Sequence, residues 1–210
     1  MTYDAKEHWE NIYQTKKSDE ISWFQEKPHT SLNLIAETDL DKDSRIIDIG
    51  AGDSRLVDNL LVLGFRNITV LDISSTALNR TKKRLRNKAN SVKWIVSDLM
   101  EFKTNNRYDL WHDRAVLHFL TEEEEINRYV EKIKQLLKPN GYLIVSTFSL
   151  KGPKKCSGLD IKQHSKDSMK KIFSGFEHIK SFEEEHLTPW ENSQIFIYSL
   201  FKKGGNKRWE

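Results

Sequence analysis

The chain has 210 residues, 37% hydrophobic and 31% charged, with a net charge of +3. That is enough for one well-buried core, and we expect a single domain over 1–210. No apolar run approaches the roughly 18 residues of a membrane helix, the polar start "MTYDAKEHWENIYQ" has no signal-like apolar stretch, and the expected compartment is the cytoplasm. A single cysteine, Cys156, excludes an internal disulfide and a cysteine-based zinc cage, and no metal site is expected. The mild positive charge permits a nucleic-acid partner without requiring one.

In chain order, residues 1–44 read as an aromatic-rich lead-in with Trp9, Tyr13, Trp23 and Phe24. "RIIDI" (Arg45–Ile49) is β-branched and apolar, as a strand buried on both faces must be. Gly50 and Gly52 then mark a turn of unusual backbone angles or close approach, and Leu56, Leu60 and Leu63 carry the helical period that follows, with Asp53 or Ser54 as its cap. Further strands are predicted at 68–72, 92–96, 108–113 and 142–148, alternating with helices. This alternation is the pattern of a parallel sheet covered on both sides.

"SSTALNRTKKRL" opens on capping serines. Its continuation "RTKKRLRNK" (Arg80–Lys88) reads as the wet face of a helix whose Leu78, Leu85 and Ala89 point inward. The run has no interleaved aromatics for base stacking, which disfavours nucleic acid. "TEEEEINRYVEKIKQLLKPNG" starts on a threonine with acids and stops at Pro-Asn-Gly. Beyond 148, "SLKGPKKCSGLDIKQHS" is expected to be loop, followed by a helix at 166–174. Two strands at 176–184 and 194–201 form an antiparallel hairpin, and the tail 204–210 is expected to fray. The core is thus 45–203.

The glycine turn joins a buried strand to a helix N-terminus, where backbone amides can hold a ligand. The dinucleotide fingerprint G-x-G-x-x-G fails because Arg55 stands at the third glycine, and no Gly-Lys-Ser/Thr follows for a P-loop. Asp72 lies about 20 residues past the turn, where a ribose-binding carboxylate belongs. What remains is a nucleoside held without a diphosphate.

"IIDIGAGDS", "VLDIS", "VSDLM" and "YDLWHDRAVLHFL", in this order, resemble the motifs of class I S-adenosylmethionine (AdoMet)-dependent methyltransferases. "DRA" and the Trp-containing lead-in are similar to the small thiopurine-methyltransferase-like type. The resemblance implies a Rossmann-like, doubly wound, mostly parallel sheet ending in an antiparallel hairpin. It further implies that Gly50, Ala51 and Gly52 approach the amino-acid part of AdoMet, with Asp48 heading the motif. Asp72 would take the ribose hydroxyls, Ile73 would pack on adenine, and Asp98 with Leu99 would meet its amine and ring edge. Asp113 would lie beside the methyl.

Trp9, Tyr13, Trp23 and Phe24 would either roof the sulfonium, a cation that ring faces attract, or form the core of the lead-in. On the acceptor side His112 and His118 are base candidates and Arg114 a polar neighbour, with Cys156 at the rim and His186 and Trp190 as further lining. The Asn/Asp-Pro-Pro-aromatic sequence of nucleic-acid amino-methylases is absent. The expected function is methyl transfer to a small molecule; a protein lysine methyltransferase and a non-catalytic AdoMet-binding module are the alternatives.

Overall fold

The computed structural model describes residues 4–205. Five parallel strands, β1 (Arg45–Ile49), β2 (Asn67–Asp72), β3 (Val92–Val96), β4 (Tyr108–Arg114) and β5 (Leu137–Phe148), continue into an antiparallel pair, β8 (Glu177–Leu187) and β9 (Ser193–Lys202). The sheet order is β3-β2-β1-β4-β5-β9-β8. The chain winds outward from β1 to β3 and then returns to the other side of β1. The carboxyl ends of β1 and β4 therefore flank a switch point, where open α/β sheets hold ligands.

Successive side chains of a strand point to opposite faces, and β1 divides between two cores accordingly. Ile46 joins Leu56, Leu60 and Leu78 on one face, while Ile47 and Ile49 join Trp111, Tyr129 and Ile133 on the other. The covering helices are α1 (Ala5–Thr15), α2 (His29–Ala36), α3 (Leu56–Val62), α4 (Ser75–Leu85), α5 (Glu123–Leu136) and α6 (Lys166–Ile172). No helix among the described residues is long and apolar enough to cross a membrane.

Local departures from the expectations have identifiable causes. Helix α5 is capped by Glu122, which shares a capping box with Glu125, so Thr121 is not its cap. Pro139 does not mark a loop: β5 begins at Leu137, five residues before the expected start, and Asn140 turns through φ +62° to donate its amide to the Lys203 carbonyl. The stretch expected as loop contains a small hairpin, β6 (Lys155–Cys156) with β7 (Leu159–Asp160), around Ser157 and Gly158 at φ +51° and +82°. Two successive positive φ values make a turn suited to hairpins, and "SG" was its signal in the sequence.

At α3, Ser54 Oγ accepts the Leu56 amide (3.1 Å). Asp53 instead accepts the Ser18 hydroxyl (2.5 Å) and pairs with Arg80 (3.3 Å). The basic run is only partly a wet face. Arg84 grips Asp58 through Nε and Nη2 (2.9 and 2.8 Å) and donates to the carbonyls of Asp53 (3.0 Å) and Ser54 (2.7 Å). Arg80 also reaches the Lys16 carbonyl (2.5 Å), so two arginines of α4 brace the glycine turn and tie the lead-in to it. Of the tail expected to fray, residues 206–210 lie outside the described residues; Gly204 and Gly205 have no regular structure.

Candidate functional site

A cavity of about 470 Å³ opens at the carboxyl edge of the sheet. Gly50 and Gly52 both sit at φ +55°, and each has a close neighbour where a side chain would begin. A Cβ on Gly50 would lie 2.0 Å from Val116 Cγ2, and one on Gly52 would lie 2.1 Å from the Tyr13 hydroxyl. Gly50 and Ala51 border the cavity. Gly52 does not; it is covered by Tyr13 and donates its amide to Asp72 Oδ2 (2.7 Å).

Asp72 Oδ1 accepts the Ser74 amide (2.7 Å), so each carboxylate oxygen has one protein partner and a spare acceptor site. Burial pushes its pKa up to about 6, against the opposing pull of the two amides. Asp72 and Ile73 line the cavity together, beside Leu99 and Asp98. Asp98 is exposed, and its Oδ1 accepts the Met100 amide (2.6 Å). Asp48 borders the cavity from β1 and receives Nδ1–H of His112 on Oδ1 (2.7 Å), while His112 Nε2 meets Ser31 Oγ of α2 (2.9 Å). All three residues are at most 3% exposed.

These contacts correct part of the acceptor-side expectation. His112 does not line the cavity; it is occupied at both ring nitrogens and anchors Asp48. His118 does not line it either. It is buried between Phe148 (4.6 Å, stacked) and Phe119 (4.3 Å), and burial, with His164 and Arg114 adding to it, pulls its pKa down to about 3. A neutral imidazole so weakly basic and sealed from the cavity is unsuited to proton abstraction. Asp113 also turns inward: Oδ2 accepts the Tyr129 hydroxyl (2.5 Å) and Oδ1 the Val116 amide (2.8 Å), which pins the turn after β4. His186 is spent on the Ser22 carbonyl (2.7 Å), and Trp190 is half exposed at the β8–β9 turn; neither lines the cavity.

Arg114 does face the cavity. The next residue, Ala115, holds φ +77°, a conformation alanine seldom adopts, with its amide on the Ser146 carbonyl (2.8 Å). Trp9, Tyr13 and Trp23 also border the space, packed edge to face with one another and with Phe119. They are at once wall and lead-in core; Phe24 belongs only to the core. The buried thiol of Cys156 also lines the cavity, and burial pushes its pKa up to about 11.

Glu10 was not anticipated. Its carboxylate accepts from Ser74 Oγ (3.1 Å), from Ser75 N and Oγ (2.6 and 2.7 Å) and from Thr76 N (3.2 Å), closing the N-terminus of α4 immediately after Ile73. Burial would raise its pKa, but the hydrogen bonds from Ser75 and Thr76 outweigh this and hold it at about 2. An acid in the lead-in carries no sign in the sequence that it will cap a helix 64 residues away.

A doubly wound sheet with acids at the ends of its first strands and a glycine turn above the switch point defines a class I AdoMet-dependent methyltransferase fold. A methyltransferase-domain family model matches residues 40–204, and the chain belongs to that family, whose cofactor is AdoMet. Nodulation protein S of Rhizobium tropici is 26% identical over 121 residues, covering 58% of this chain and 50% of that protein. EEF1A lysine methyltransferase 2 of Danio rerio is 26% identical over 158 residues, 68% of each chain. The chain thus spans about half the length of the first relative and two thirds of the second. Among solved structures, the N-methyltransferase NodS of Bradyrhizobium japonicum WM9 in complex with S-adenosyl-L-homocysteine (AdoHcy) has the same fold. Its TM-score is 0.71 at 14% identity, covering 93% of this chain and 98% of that one. The match reaches the class I family and does not single out the thiopurine-methyltransferase-like type.

Proposed function

We propose that the chain transfers the methyl group of AdoMet to a small-molecule nucleophile that enters between the lead-in aromatics and the β6–β7 hairpin. The observation that carries this reading is the aromatic and apolar lining of the cavity, where Trp9, Tyr13, Trp23, Phe148, Phe196 and Leu159 offer ring faces and apolar surface to a small acceptor.

In this reading the spare acceptor sites of Asp72 take the two ribose hydroxyls. Ile73 and Leu99 flank the adenine and Asp98 accepts its amine. Asp48, held by His112, faces the methionine end beside Gly50 and Ala51. Bound AdoMet supplies an electrophilic methyl, and the difficult chemistry belongs to it. The protein aligns, desolvates and presents its ring faces to positive charge. Neither histidine is placed to remove a proton, so the acceptor arrives already nucleophilic, as a thiolate or an unprotonated amine does.

The lysine-methyltransferase relative supports a second reading with a protein acceptor. Calorimetry with AdoMet and AdoHcy tests the cofactor assignment, and absence of binding by both at millimolar ligand would end it. Incubating cell extracts with enzyme and isotopically labelled AdoMet, followed by mass spectrometry, separates the rest. Label in metabolites supports the first reading, label in protein the second, and tight binding without label a non-catalytic module.

A further inference from the structure

Among the described residues, Arg114 is the only basic one that lines the cavity. Its Nη1 donates to the Trp23 carbonyl (2.9 Å), Nε donates to the Tyr198 hydroxyl (3.2 Å), and its guanidinium lies over Phe196 (5.3 Å to the ring centre). Nη2 is sealed from solvent and has no hydrogen-bond partner among the described residues, and no carboxylate there lies within ion-pair distance of the group. Two of five N–H donors are used. A partly buried guanidinium whose Nη2 is sealed without a partner is costly to maintain, and the strained turn at Ala115 and three anchoring contacts hold it in place regardless.

Carboxylates line the cavity at Asp48, Asp72, Asp98, Glu125 and Asp160, and the Arg114 guanidinium, set against Trp23 and Phe196, is the one positive group among the described lining residues.

Resting on the methyltransferase reading above, we propose that the acceptor carries a carboxylate on a planar apolar body. The guanidinium of Arg114 pairs with that carboxylate through a charge-assisted hydrogen bond while the aromatic rings receive the body. The same chemistry has a second source, the carboxylate of the cofactor's own methionine, and the test separates the two.

The intact protein, with and without saturating AdoHcy, is titrated with benzoate and with its neutral counterpart benzamide. Binding is followed through Trp9 and Trp23 fluorescence. We expect benzoate to bind at least about tenfold more tightly than benzamide, in keeping with a charge-assisted pair. That preference should vanish in Arg114→Gln and survive in part in Arg114→Lys, which keeps the charge and also guards against misfolding of the glutamine variant. AdoHcy affinity should stay within about twofold of wild type in both variants, since no cofactor contact is removed. Equal binding of acid and amide, or a preference that persists in Arg114→Gln, overturns the proposal. So does competition between benzoate and AdoHcy, with AdoHcy affinity falling in Arg114→Gln, which assigns the guanidinium to the cofactor. Failure of AdoHcy to bind wild type counts against the methyltransferase reading alone, because the titration without it still reads Arg114.

Discussion

Replacing Gly52 by alanine brings two separable costs. The residue sits at φ +55°, where an L side chain costs about 1–2 kcal/mol. The new Cβ would also lie 2.1 Å from the hydroxyl of Tyr13, a buried side chain packed against Trp23 and Ala77. Forcing such a group aside costs roughly 1–3 kcal/mol, so the variant should lose about 2–5 kcal/mol in total and weaken AdoHcy binding as the turn shifts. Tyr13→Phe separates the terms. It removes the hydroxyl and leaves the ring carbon Cζ, 3.0 Å from the added Cβ, as the nearest atom. Urea unfolding of wild type, both single variants and the double variant should therefore show a favourable coupling of at least about 1 kcal/mol, with the backbone cost persisting in the double variant. Additive effects, or a Gly52→Ala protein within about 0.5 kcal/mol of wild type, would refute the assignment of Tyr13 as the group that demands glycine here.

Asp72→Asn should weaken AdoHcy by tenfold or more, since each lost charge-assisted bond is worth roughly 1.5–3 kcal/mol; a change under threefold by calorimetry would count against a ribose role. The pKa of Asp72, raised from 3.8 to about 6, gives that role a pH signature: AdoHcy affinity should fall as pH drops through 6 and the carboxylate takes a proton. Its effect on stability runs the other way, because the folded state binds the proton more tightly; that contribution is present below 3.8 and lost as pH rises through about 6. His118→Phe should keep both turnover and AdoHcy binding, as an aromatic ring can occupy the stack with Phe148, and a tenfold fall in kcat would restore the histidine as a base candidate. Glu10→Gln should loosen α1 from α4 by about 1–2 kcal/mol at neutral pH, discounted for its partial exposure, and hydrogen exchange in α1 reads this directly. In wild type the same contact holds above pH 4.5 and is lost as pH falls toward 2, since the folded pKa is the lower one. Unchanged exchange rates would show that the lead-in docks through its aromatics alone.

Much of the site's outline was legible beforehand. Asp48, Asp72 and Asp98 stand at the ends of consecutive strands because buried β-branched runs and helical periods are local patterns, and a polar residue closing such a run must lie at the sheet's edge. The glycines and the unusual backbone angles they adopt were legible as well, but the groups that crowd them were not: Val116 and Tyr13 are the ones that exclude a Cβ, and both come from other parts of the chain. "DRA" drew attention to Arg114 without indicating that its neighbours Asp113 and His112 face away from the cavity.

The amino-acid sequence by itself determined the order of elements, the parallel core and the edge that carries the site, because hydrophobic periodicity and turn chemistry act over a few residues. Only the tertiary structure decided which polar side chains remain available. His112 is claimed by Asp48 and by Ser31, 81 residues away, and Glu10 by a helix 64 residues on, while Arg114 keeps an unclaimed donor. A buried polar group takes whatever partner packing brings within about 3 Å, and that choice is made by contacts between distant segments.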